Sequence, residues 1–186
     1  GGVCIMKALE WYGRNAVLEE MMQAQNEFKK VPYSEGLVTQ DMHVLYCGEA
    51  DRQNAQREFP AIQCLRSEYL AWLEPLGIAG HFKPEINSIG VHLYPANSQG
   101  ISPHQDYASD RNLISIFVLK GNDPLYLCKD RNKTESFPLN ASPGDLILLR
   151  APRNEAEKPL RPFHYLEKLV EERITLIFRQ RQRKSE

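Results

Sequence analysis

Residues Asn87–Gly121 read NSIGVHLYPANSQGISPHQDYASDRNLISIFVLKG, and this stretch decides the fold. It opens within Ile86–Tyr94 (INSIGVHLY), whose β-branched and aromatic content is that of a strand. A turn follows, Pro95-Ala96-Asn97-Ser98-Gln99-Gly100, then the triplet His104-Gln105-Asp106 and a second apolar strand, Leu113–Leu119. Leu125–Cys128, Asp145–Leu149 and Arg173–Phe178 continue the pattern downstream, separated by the turn segments KGNDP (120–124) and SPGD (142–145). Short strands at this spacing predict a sandwich or barrel.

Upstream the chain changes character. Ala16–Phe28 and Phe59–Leu76 carry apolar residues at helical spacing, with Pro60 suited to a first helical turn, and Met42–Cys47 reads as extended. The expectation is one α+β domain over residues 1–186, with a helical part (1–85) lying over the substrate and packed on one side of a β core (86–182). The residues 153–162 (RNEAEKPLRP) read as a charged surface loop near the site mouth.

The formal net charge is −1, so no global field favours a nucleic-acid or membrane partner. Locally, Arg179–Lys184 is basic and reads as a solvated tail or, less simply, as a phosphate-binding patch. No segment is apolar for long enough to cross a bilayer. Cys4, Cys47, Cys64 and Cys128 are scattered, without a C-x-x-C pair or zinc-like spacing, which suits free buried thiols in a reducing compartment. The opening residues lack the basic-then-apolar order of a signal peptide, and a cytoplasmic location is expected.

The chemistry lies in an ordered set of residues. His104-x-Asp106 is followed at a distance by His164 and then by a strand carrying Arg173 and Arg179. Two imidazoles and one carboxylate can occupy one face of an octahedral iron and leave positions open for oxidant and co-substrate. A nearby Arg can grip a carboxylate of a 2-oxoacid in a planar two-pronged contact. Alternation along a strand sends His104 and Asp106 to one face. On the last strand it sends Arg173, Thr175, Ile177 and Arg179 one way and Ile174, Leu176 and Phe178 the other. Taken singly, His164 reads as an ordinary packing histidine and Tyr94 equally as core. The alternative for the last strand is an edge strand with both arginines in solvent. His92 shares a face with Tyr94.

Taken together, the stretch quoted above, then PGDLILL (143–149), RPFH (161–164) and ERITLIFRQR (172–181), resembles the AlkB-like branch of Fe(II)/2-oxoglutarate dioxygenases over the second half of the chain. The resemblance implies a double-stranded β-helix, or jelly-roll, core. It implies His104, Asp106 and His164 as iron ligands and Arg173 on the far carboxylate of 2-oxoglutarate. Arg179 and Tyr94 would line the same pocket, with His92 and Thr175 standing where that branch carries asparagines. In such enzymes O2 and 2-oxoglutarate react at Fe(II) to give succinate, carbon dioxide and an oxidant that replaces a substrate hydrogen by hydroxyl. A hydroxylated N-methyl group then leaves as formaldehyde. Ala108 is a departure: members that repair nucleic acid usually carry an acid there, and here Asp110 stands two residues further on.

Two substrate expectations follow: an alkylated nucleic-acid base, or a small molecule, free nucleotide or peptide side chain to be hydroxylated. A third reading is a jelly-roll binding module or sensor without turnover. Trp11, Tyr12, Phe28, Tyr33, Tyr46 and Trp72 are the upstream aromatics able to stack on a base.

Overall fold

The computed structural model describes residues 2–47, 58–76, 85–152 and 161–182. The expected 153–162 loop therefore lies outside the described residues except at its last two positions, as does the tail beyond Gln182. Among the described residues there are thirteen strands and two α-helices. The strands are β1 (Val3–Lys7), β2 (Lys29–Lys30), β3 (Ser34–Glu35), β4 (Val38–Thr39), β5 (His43–Tyr46), β6 (Ser88–Tyr94) and β7 (Ile101–His104). They continue with β8 (Asp110–Lys120), β9 (Leu125–Cys128), β10 (Phe137–Leu139), β11 (Asp145–Arg150), β12 (Phe163–Leu166) and β13 (Arg173–Arg181). The helices are α1 (Trp11–Gln23) and α2 (Pro60–Leu73).

The strands form a large antiparallel sheet, in the order β1-β11-β8-β13-β6-β5-β2, and a smaller one, β10-β9-β12-β7, with β3 and β4 as a separate hairpin. This is the two-sheet arrangement of a jelly roll. Strand parity divides the large sheet cleanly. Ile174, Leu176 and Phe178 of β13, with Ile89 and Val91 of β6 and Phe117 and Leu119 of β8, share a buried cluster with Val17 and Met21 of α1 and Ile62, Tyr69 and Leu73 of α2. The opposite parity gives Ile177, Ile114, Ile116, Val118 and Tyr94, which fill the space between the sheets with Leu125, Leu127 and Leu166 of the smaller sheet. β13 lies between β8 and β6, so the edge-strand alternative does not hold.

The helices differ from expectation at their ends. α1 begins at Trp11, five positions before Ala16, and ends at Gln23 with a 3-10 turn over Gln25–Glu27 before Phe28. α2 follows expectation closely, with Pro60 at its start and a 3-10 turn at Glu74–Leu76. Phe59 offers no capping side chain, and Glu20 of α1 does that work instead. Its carboxylate accepts from the Ala61 and Ile62 backbone N–H groups at 2.7 and 3.3 Å, which ties the two helices together. β1, β7 and β12 were not expected as strands. β1 pairs with β11 along its whole length and so becomes an edge of the large sheet. All four cysteines are free, but Cys4 and Cys64 are exposed, which corrects the expectation that the thiols are buried.

Candidate active site

His104 closes β7 and His164 sits in β12, and the two are direct partners across that strand pair. Their rings lie 4.3 Å apart, centroid to centroid, at 54°. His104 Nδ1 lies 2.9 Å from the Ser102 carbonyl and His164 Nδ1 lies 3.3 Å from the Pro162 carbonyl. A carbonyl can only accept, so each Nδ1 carries a proton and each Nε2 is turned toward the site. Asp106 is not on a strand. It lies in the loop after β7, so the loop's course, and not strand alternation, brings its carboxylate to the histidines.

Asp106 Oδ2 stands 3.3 Å from His164 Nε2, with the two side chains 7% and 6% exposed. An imidazole nitrogen and a carboxylate oxygen face each other there, largely out of contact with bulk water, and a shared cation, a proton or a metal ion, holds such a pair together. Adjacent ligand atoms on an octahedral ion at about 2.1 Å lie about 3 Å apart, which suits this spacing. Among the described residues no set of three His, Cys, Asp or Glu side chains is already closed to metal-holding distances. The other oxygen of Asp106, Oδ1, accepts from Arg179 Nη2 at 2.9 Å.

The arginine continues a chain of alternating charge. Arg179 Nε lies 3.4 Å from Asp110 Oδ2, and Arg181 Nε lies 3.1 Å from Asp110 Oδ1. Asp110 is wholly buried, and burial raises its carboxyl above the ordinary range despite both arginines. Burial pushes Asp106 the same way, but the Arg179 charge, with His164 and His104, outweighs it and holds the carboxyl well below the usual carboxylate range. His104 is lowered to about 4, first by burial and then by His164. His92 is lowered to about 3, first by burial and then by Arg179. Both are neutral near pH 7.

Arg173 pairs in register with Tyr94, and Thr175 with His92, so these four side chains share the inner face of β6 and β13. Arg173 is 1% exposed. Its Nη1 donates to the Asp123 carbonyl at 2.6 Å, and its Nε has no hydrogen-bond partner. Burial lowers its pKa, with the neighbouring Tyr94 and Asp123 opposing. A buried guanidinium with an unsatisfied N–H is poised for an anion.

A cavity of about 210 Å³ opens over His92, His104, Asp106 and Arg179. Val31, Val38, Met42, Val44 and Ile101 give it an apolar wall, and Glu35, Tyr46, Tyr107 and Arg181 supply polar groups. Of the upstream aromatics whose side chains are described, Tyr46 lines this cavity. Trp72 instead stacks on Tyr69 at 5.7 Å, Phe28 packs against the helix-side core, and Tyr33 is exposed. The side chains of Trp11 and Tyr12 lie outside the described residues. The basic tail is no solvated arm as far as Gln182: Arg179 is buried and Arg181 is paired. Asp110, Arg161 and Tyr107 carry no sequence signal beyond the motif stretches they sit in.

No protein-family model matches the chain, and no curated protein sequence matches it. Solved structures do match it in shape. One is a Trichoplax adhaerens prolyl hydroxylase in complex with a hypoxia-inducible-factor oxygen-degradation-domain peptide fragment, at 17% identity and TM-score 0.69, over 96% of this chain and 83% of that one. A second is a Pseudomonas putida prolyl-4-hydroxylase, at 14% identity and TM-score 0.65, over 97% and 93%. A third is the viral collagen prolyl hydroxylase of Paramecium bursaria Chlorella virus-1 with 2-oxoglutarate, at 12% identity and TM-score 0.67, over 96% and 95%. The chain has the fold that these prolyl hydroxylases share.

Proposed function

We propose that the chain is an Fe(II)- and 2-oxoglutarate-dependent dioxygenase in which His104, Asp106 and His164 hold the iron. The observation that carries this reading is the buried meeting of His164 Nε2 with Asp106 Oδ2 at 3.3 Å, beside the His104 ring. Its donor set, two imidazoles and a carboxylate, suits non-haem iron. The shared fold supports it, since one of the matching structures is a 2-oxoglutarate complex.

The chain's own residues divide the work. The Ser102 and Pro162 carbonyls fix both imidazole tautomers and aim Nε2 inward. Arg173, with its unsatisfied Nε, grips the far carboxylate of 2-oxoglutarate, and Tyr94, Thr175 and His92 line the same inner face. Arg179 holds Asp106 in place and lends positive charge to the co-substrate side. The apolar wall of the cavity restricts water around the reacting carbon. Iron, O2 and 2-oxoglutarate together would supply the oxidant that turns a substrate C–H bond into C–OH.

For the substrate, hydroxylation of a peptide side chain or small molecule is favoured by the matching structures, one of which holds a peptide. Demethylation of an alkylated base is the second reading. It is favoured by the AlkB-like run of residues and by Tyr46 and Tyr107, two exposed rings on the cavity wall. The test is succinate release from 2-oxoglutarate by iron-loaded protein, with and without O2, against peptide, small-molecule and methylated-oligonucleotide pools. Release that requires Fe(II) and O2 and is lost in His104→Ala or Asp106→Ala is expected. Metal binding without any succinate would leave a binding module or sensor in its place.

A further inference from the structure

Arg161 is not a ligand and does not line the cavity, yet its side chain is 9% exposed and saturated with bonds to one loop. Its Nη1 donates to the Asp106 carbonyl at 2.8 Å and to the Tyr107 carbonyl. Its Nη2 donates to the Ala108 carbonyl at 3.2 Å and to the Asp110 carbonyl at 2.8 Å. Four main-chain acceptors of the loop that carries Asp106 thus converge on one guanidinium. The reciprocal bond comes from Gln105, whose Nε2 donates to the Arg161 carbonyl at 2.7 Å. The carbonyl of the very next residue, Pro162, accepts from His164 Nδ1.

We infer that Arg161 is a positioning residue for the metal site: it locks the His104–Asp110 loop to the strand that delivers His164, and so fixes the distance between Asp106 and His164. The inference rests on the iron-ligand reading. The physical argument is one of geometry. A loop without strand pairing holds a carboxylate only as firmly as its backbone is held, and carbonyls at 106, 107, 108 and 110 point to a single planar donor. A lysine would keep the charge but offers one compact ammonium in place of the fork, so it cannot reach four acceptors at once. The middle residue of the His-Gln-Asp triplet gains a role by the same argument, because Gln105 closes the clasp from the other side.

The test is a Co(II) titration of the full chain, followed by visible absorption, alongside urea denaturation of the same proteins. Arg161→Lys is expected to weaken Co(II) binding by at least about tenfold, in the range found for residues that hold metal ligands in place. Tyr69→Phe, which removes the 2.6 Å Tyr69–Ser115 bond on the helix side of the large sheet, is the control for plain destabilisation and is expected to leave Co(II) affinity unchanged. Equal Co(II) affinity in Arg161→Lys and the unsubstituted protein overturns the inference. Should Arg161→Lys fail to fold, Gln105→Met at an exposed position carries the same test, with a smaller loss expected and an unchanged affinity overturning it. Failure of the unsubstituted protein to bind Co(II) removes the iron-ligand reading itself and this inference with it, an outcome separate from loss in the variants alone.

Discussion

Arg179 and Asp106 form a buried ion pair, Nη2 to Oδ1 at 2.9 Å, with side chains 9% and 7% exposed. Two charges this far from water are held by each other, and removing one strands the other. Arg179→Met is therefore expected to cost about 3–5 kcal/mol, the range for breaking a buried pair from one side. Urea denaturation of the metal-free protein measures it. A loss below about 1 kcal/mol, the size of a surface pair, would mean that water reaches Asp106 freely.

Arg173 differs from Arg179 in its partners: its Nη1 donates to the Asp123 main-chain carbonyl, its Nε is unsatisfied, and the Asp123 carboxylate acts on it through charge alone. Arg173→Lys keeps a cation in the pocket but loses the planar fork. The expected result is a 2-oxoglutarate KM raised about tenfold or more, a smaller change in kcat, and unaltered metal binding. Isothermal titration with Mn(II), followed by steady-state succinate assays, separates these terms. An unchanged KM would assign the co-substrate carboxylate to another residue.

The residues that could be read in advance are those whose role follows from local pattern. Period-two alternation along β13 places Arg173, Thr175 and Arg179 on one face and three large apolar residues on the other, and the two faces meet different cores. The His-x-Asp spacing, the later His and the paired Arg are likewise local signals. Asp110 and Arg161 are of another kind. Asp110 matters because β13 returns beside β8 and places Arg179 and Arg181 against it. Arg161 matters because its guanidinium, two residues before β12, meets the carbonyls of the Asp106 loop. Neither relation has a spacing in the sequence. β7 and β12 escape local pattern for a related reason: each is only four residues long and is marked by a proline, Pro103 within β7 and Pro162 just before β12, so the partners that pair with them define them.

His92 lines the cavity and titrates far below its ordinary value because of burial and the Arg179 charge. The sign follows from linkage. The unfolded chain takes up a proton at His92 near the ordinary imidazole value of 6.5, while the folded protein does so only at about 3. Between those two values the unfolded state binds more protons, so stability is full above about pH 6.5 and falls as the pH drops toward 3. His92→Gln removes this contribution and is expected to flatten the fall of the urea midpoint with acid. Parallel slopes in the two proteins over that window would show that His92 does not titrate in this way.

Gly100 sets the approach of β7 to β12. Its φ is +72°, and a Cβ there would meet the Leu166 carbonyl oxygen and lie 2.5 Å from the Glu167 carbonyl oxygen. Both oxygens belong to backbone at the end of β12, so neither can rotate away. Ile101, the next residue, is the register partner of Leu166, and three positions further His104 faces His164. Gly100→Ala combines a left-handed backbone with a clash against fixed main chain, which costs about 2 kcal/mol or more. Relief comes by spreading the two strands, and that spreading separates the imidazoles. The variant should therefore lose both urea stability and Co(II) affinity. Gly36→Ala, also at positive φ but with nothing within 4 Å of its Cβ, should lose a little stability and keep its affinity. Equal behaviour of the two variants would show that the fit between β7 and β12 does not control the distance between the histidines.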